Sequence, residues 1–225
     1  MENRNVGISM TIIVFSPHPD DETLACGGTI AGKTAAGERV YVVVMTDGRN
    51  SHTNMGIDEN PSPSEVIAMR REECSKATSI LGVRGSDLTF LGFEDARLYK
   101  AMAEAQRMVV QLLEELKPDE VFIPSKKEFH RDHVSTNLIV SRAVEKLVSK
   151  PAIYEYTVIS KHEPKVAEKR VFEVDISKNL EKKREAIKVY KSQIEIISPK
   201  QKRPVVNSHL LLRFLGDKEV FLKIR

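Results

Sequence analysis

A short β-branched run, Thr11-Ile12-Ile13-Val14-Phe15, leads directly into Ser16-Pro17-His18-Pro19-Asp20-Asp21-Glu22. The run reads as a buried strand. Just past its C-terminal end stand a histidine and three carboxylates, His18, Asp20, Asp21 and Glu22. In open α/β sheets, ligands bind in the crevice outside the carboxyl ends of the strands. Ionisable groups crowded together in this way repel unless a cation or solvent compensates them. A polar loop feeding acidic residues into a helix first turn would account for the carboxylates. It would not account for His18 or for the two prolines that fix the backbone around it.

The alternation continues along the chain. Strands are predicted at about 11–16, 40–45, 88–91, 120–123 and 153–159, and helices at about 22–36, 64–81, 99–116 and 132–149. Gly82 is placed to cap the second helix and Pro118 to end the third. Residues 50–63, rich in Ser, Asn, Asp and Pro, read as a long polar loop. Beyond about 160 one strong helix, 178–193, lies between strand-like pieces at 171–174 and 219–224. Strands and helices of these lengths in alternation indicate βαβ units, hence an α/β fold with a mostly parallel sheet and helices on both faces. The 225 residues suit one such domain, with residues 1–10 flexible and about 160–225 forming an extension that shapes the substrate side.

A second cluster, His130-Arg131-Asp132-His133, follows the strand Val121-Phe122-Ile123. In a parallel sheet both clusters lie on one edge. His130 and His133 are spaced to face the same way near a helix start, and His18 and Asp21 share that spacing. Two imidazoles, a carboxylate and a water make a catalytic zinc shell with one open position. Zinc makes hydroxide available near neutral pH. A further carboxylate can move the proton, and a protonated histidine can steady an oxyanion. Residue chemistry alone leaves open which aspartate ligates and which acts as base.

Composition narrows the classes. No apolar stretch approaches membrane-spanning length, and the N-terminal residues lack the apolar region of a signal peptide. The two cysteines, Cys26 and Cys74, form no metal-type pair, so a reducing cytoplasm is the simplest setting. The net charge of +3 is small, although basic residues gather at Lys182-Lys183-Arg184 and Lys200-Gln201-Lys202-Arg203. Such runs are usually solvated faces, which argues against nucleic acid as a partner.

Pro17-His18-Pro19-Asp20-Asp21-Glu22, Gly27-Gly28-Thr29-Ile30, Thr46-Asp47-Gly48 and His130-Arg131-Asp132-His133 together resemble the PIG-L/LmbE family of zinc-dependent de-N-acetylases. Arg70-Arg71-Glu72-Glu73, Leu91-Gly92-Phe93 with Asp95, and Tyr190-Lys191-Ser192-Gln193 support the match. The resemblance implies a Rossmann-like three-layer fold and one zinc ion per chain, other divalent metals being acceptable to the same donors. It implies His18, Asp21 and His133 as metal ligands and Asp20 as general base and acid. His130 becomes the cation that stabilises the oxyanion, and Asp132 the residue that orients a neighbouring histidine. Arg49 and Arg70 become substrate or supporting contacts. His52 could touch substrate, though a solvent-exposed histidine is the simpler reading. Glu22 either hydrogen-bonds behind the metal or caps the helix. The paired glycines are expected to let helix and sheet approach closely. The implied activity is removal of acetyl from an N-acetylglucosamine-type sugar or glycoconjugate. Hydrolysis of another amide, or a non-catalytic metal- or nucleic-acid-binding role, are the alternatives. Oligomeric state stays open, a homo-oligomer included.

Overall fold

The computed structural model describes residues 9–160 and 170–225. Residues 1–8, most of the stretch expected to be flexible, and residues 161–169 of the expected extension lie outside that description. Elements follow in the order β1 (Thr11–Ser16), α1 (Asp21–Ala35), β2 (Arg39–Thr46), α2 (Asn50–Thr53), α3 (Pro63–Ile80) and β3 (Leu88–Phe93). Next come α4 (Met102–Leu116), β4 (Glu120–Pro124), α5 (Arg131–Glu145) and β5 (Ala152–Tyr156). The remainder is β6 (Val171–Asp175), α6 (Leu180–Val189), α7 (Lys191–Ile194), α8 (Ser208–Leu212) and β7 (Lys218–Lys223).

The strands form one seven-stranded sheet in the order β3-β2-β1-β4-β5-β7-β6. β1 to β5 are parallel, whereas β7 runs antiparallel to both β5 and β6. The chain leaves β1 in one direction to β2 and β3, then crosses back to β4 on the other side. That reversal makes the β1/β4 boundary the topological switch point, where α/β sheets open a binding crevice. Side-chain alternation divides the core. Ile12, Val14, Val42 and Val44 pack with α1, α3 and α6, and Ile13, Phe15, Val43 and Met45 pack with α4 and α5. The result is the expected three-layer α/β fold.

Local chemistry sets the boundaries. Ser62 and Glu65 form a capping box at the start of α3, with Pro63 at its first position. Gly82 follows the end of α3 with φ +90°, and a Cβ there would meet Thr34 Oγ1 at 2.6 Å. The expectations that changed are few. The polar loop 50–63 contains the short helix α2. The single helix over 178–193 is two, because the backbone turns at Tyr190 (ψ 55°). The close approach at the paired glycines involves α6 and the turn before it: Cβ atoms at Gly27 and Gly28 would lie 3.0 Å from Lys183 Cγ and 2.6 Å from Ile176. Glu219 of β7 completes that contact. It accepts the Gly28 and Thr29 N–H groups, both at 2.8 Å, and pairs with Lys183 Nζ at 2.7 Å. Among the described residues no helix is long and apolar enough to cross a membrane.

Candidate active site

The turn after β1 is built to hold Asp20 in a costly conformation. Its φ is +144°, a region that non-glycine residues rarely enter. Such strain costs on the order of 1–3 kcal/mol and persists only where neighbours enforce it. Here Thr46 Oγ1 donates to Pro17 O at 2.9 Å, Arg70 Nη2 donates to Pro19 O at 2.7 Å, and Asp20 N donates to Glu22 Oε2 at 3.1 Å. Arg70 also pairs with Asp20 Oδ1 at 2.9 Å and donates from Nη1 to Gly48 O at 3.1 Å. A side chain at Gly48, which has φ +66°, would collide with that guanidinium at 2.6 Å. The Thr46-Asp47-Gly48 element is therefore the seat of Arg70.

α5 delivers the second half of the site, with His130 as its N-cap residue. Across the β1/β4 boundary, three ligand-type atoms converge on one spot. His18 Nδ1 lies 3.2 Å from Asp21 Oδ2, His133 Nε2 lies 3.3 Å from the same oxygen, and the two ring nitrogens are 3.3 Å apart. Donors about 2.0–2.2 Å from one ion in tetrahedral array stand about 3.3–3.5 Å from one another. The triangle has that size, and its nitrogen and oxygen donors suit zinc and other divalent transition metals. His130 stands close by, with one ring nitrogen within 4.8 Å of a ring nitrogen of His18 and of His133.

Carboxylates stand behind both imidazoles of the triangle. His18 Nε2 faces Asp95 Oδ1 at 3.2 Å and Asp132 Oδ2 at 3.4 Å. Asp132 is fixed by the N–H groups of Ala96 and Leu98. Asp95 is fixed by Asn50 N, and its own N–H meets Asp47 Oδ1. His133 Nδ1 has Glu128 Oε2 3.8 Å away, and Glu128 in turn gathers the N–H groups of Val158, Ile159 and Ser160. A carboxylate within hydrogen-bond distance of an imidazole, as at His18, fixes tautomer and raises ring basicity, whereas Glu128 at 3.8 Å acts on His133 through its charge. Glu22 combines both expected features: it is fully buried beneath the turn, accepting from Ser16 Oγ and Thr23 Oγ1, and it takes the N–H of Asp20, the N-cap residue of α1. The Tyr190-Lys191-Ser192-Gln193 element supports the same region. Tyr190 OH donates to Glu22, Ser192 bonds Glu73 through N and Oγ, and Gln193 lines the pocket.

The field favours a cation at the triangle. Burial works against a charged His18, but Asp132, Asp21 and Asp95 outweigh it and raise its pKa well above the ordinary value. Burial likewise opposes a charged Asp21, but His133 and His18 hold its carboxyl well below the usual range. Asp20 differs: burial pushes it up to about 7 despite Arg70. Burial, with His18 and His133 nearby, lowers His130. His130 Nδ1 accepts the Asp132 N–H at 3.2 Å, so the neutral ring carries its proton on Nε2 and remains a donor without charge.

A cavity of about 260 Å³ contains His18, Asp20, Asp21, Arg70, Asp95, His130 and His133 in its lining. Two expected substrate contacts lie elsewhere. Arg49 is tied to its neighbour Asp47 at 2.5 Å and is absent from this lining. His52 is 0% exposed, correcting the solvent-exposed reading, and it too is absent from the lining. Its position in α2 turns the ring inward, where Nδ1 meets Ser51 Oγ at 3.1 Å.

The family model described as GlcNAc-PI de-N-acetylase, PIG-L, matches residues 13–144. The chain belongs to the PIG-L family. Within it, the chain is 29% identical over 187 residues to the "Probable N-acetyl-alpha-D-glucosaminyl L-malate deacetylase 2" of Bacillus anthracis, covering 81% of this chain and 80% of that one. It is 28% identical over 194 residues to the diacetylchitobiose deacetylase of Thermococcus kodakarensis, covering 81% and 69%. The solved N,N'-diacetylchitobiose deacetylase of Pyrococcus horikoshii superposes with a TM-score of 0.68 at 28% identity, covering 83% of this chain and 71% of that one. This is a family of metal-dependent amide hydrolases, and the chain is an enzyme of that kind.

Proposed function

We propose that this protein removes the acetyl group from an N-acetylglucosamine-type sugar or glycoconjugate, with one zinc ion held by His18, Asp21 and His133. The observation that carries the reading is the triangle of ligand atoms, 3.2–3.3 Å on each edge, beside Asp20 and His130 in one cavity. The relatives whose names specify N-acetylglucosaminyl malate and diacetylchitobiose support the substrate class. A divalent cation there would make hydroxide accessible near neutral pH and polarise the amide carbonyl.

The remaining chemistry falls to the chain's own groups. Asp20 is not part of the triangle, and its pKa near 7 suits a group that both accepts and returns a proton. It takes the proton of the attacking water and gives it to the amide nitrogen as the C–N bond breaks, leaving acetate and a free amine. Arg70 holds one Asp20 oxygen and so fixes the direction of transfer. His130 donates Nε2–H to the oxyanion of the tetrahedral intermediate. Asp132, whose N–H sets the His130 tautomer and whose carboxylate faces His18, acts as a positioning residue. We read the whole chain as one domain, and its two free, buried cysteines suit a reducing cytoplasm.

Acetate release from N-acetylglucosamine, its disaccharide and larger glycoconjugates, by metal-analysed protein, tests the reading. Metal-dependent release is expected. Release of none, with about one metal bound per chain, would move the activity to another amide; a chain that takes up no divalent metal would sink it.

A further inference from the structure

The basic run Lys200-Gln201-Lys202-Arg203 has no part in the chemistry above, yet it borders the cavity that holds it. Buried Gln201 fastens the segment. Its Oε1 accepts the Ile197 N–H at 2.9 Å, and its Nε2 donates to Glu195 O at 3.2 Å and Arg203 O at 2.9 Å. Val206 N donates to Gln193 O at 2.8 Å. These bonds set Arg203, Val205 and Val206 on the cavity wall, with the Arg203 side chain exposed.

The other cation there is engaged, since Arg70 is buried against Asp20. Among the described residues no carboxylate pairs with Arg203. The same lining includes the apolar Val158, Ile159, Val205 and Leu210. An anion turned toward the floor would meet Asp20 and Asp95; one turned toward the rim meets an open guanidinium, whose planar fork matches carboxylate and phosphate. We propose that Arg203 reads an anionic group, a carboxylate or a phosphate, on the part of the substrate remote from the acetamide. The inference rests on the deacetylase reading and specifies its substrate class.

The test compares metal-loaded wild type, Arg203→Gln and Arg203→Lys on three N-acetylglucosaminides: a hydroxy-acid glycoside, the 1-phosphate and the methyl glycoside. In Arg203→Gln the kcat/KM ratio of anionic to neutral substrate falls about three- to tenfold, mainly through KM, as befits an exposed charge contact. Arg203→Lys recovers part of the loss, and added salt shrinks the difference. The anionic substrate that wild type prefers identifies carboxylate or phosphate as the group read. An unchanged ratio, with acetate still released, overturns the role of Arg203 and leaves the deacetylase reading standing. No acetate from any of the three overturns both.

Discussion

Two regions of this molecule bury charge, and they resolve it differently. Beneath α1, Lys183 and Glu219 form a closed knot in which the carboxylate takes two main-chain N–H groups and one ammonium. At the carboxyl edge of the sheet, His18 Nδ1, Asp21 Oδ2 and His133 Nε2 converge within 3.2–3.3 Å of one another. The knot saturates itself. The edge cluster gathers its donor atoms beside a cavity, where a divalent cation would fit. A buried charge alone is weak evidence of function, whereas convergent acceptors beside open space are strong evidence.

The contrast can be broken from either side. The largest effect is expected at the edge. Asp20→Asn keeps its metal, as elemental analysis would show, and loses about 100- to 10,000-fold in acetate release. In the knot, Lys183→Met leaves Glu219 buried without its cation and should cost about 3–5 kcal/mol of stability by denaturant titration. Metal stoichiometry in the folded fraction should stay unchanged. A knot variant that lost metal while fully folded would erase the distinction. Glu128→Gln tests the outer support of His133: metal affinity by competitive chelator titration should fall about 10- to 100-fold.

The smallest effect belongs to a pair that water shares, Arg39 and Asp87 at 2.9 Å, with the arginine side chain 49% exposed. Burial opposes the Asp87 charge, but the hydrogen bond and charge of Arg39, with Ser86 and Arg84, together outweigh it and lower the pKa. A depressed carboxyl contributes stability above its unfolded value, about 3.9, that is lost as pH falls through the lower folded value. Acid unfolding of Arg39→Ala should therefore differ from wild type only slightly, and only below about pH 4.

What was legible in the sequence follows the same division. His18, Asp20, Asp21, His130 and His133 could be read because each cluster sits immediately after an apolar run, so chain order alone puts them on one edge. Arg70 could be read only as a candidate, since its role depends on the Gly48 turn. Glu128 was missed: in Lys126-Lys127-Glu128-Phe129 it looks like one charge of a polar loop. Its burial comes from amides at 158–160, about thirty residues away. Asp95 likewise gains meaning from His18 and Asn50, which no local pattern links to it. His52 was misjudged because a polar segment suggests solvent, and one turn of helix was enough to bury it. The C-terminal strands were found, but the clamp they carry was not, because a Lys–Glu pair 36 positions apart has no signature.

That clamp also puts the protein's parts on a timetable. Glu219 reaches back 191 positions to Gly28, on the same helix that presents Asp21. A ribosome adding about 5–20 residues per second needs roughly 4–17 s to travel from His133 to Glu219. For that interval every residue of the triangle has been made, while the helix carrying one of them still lacks its distant fastening.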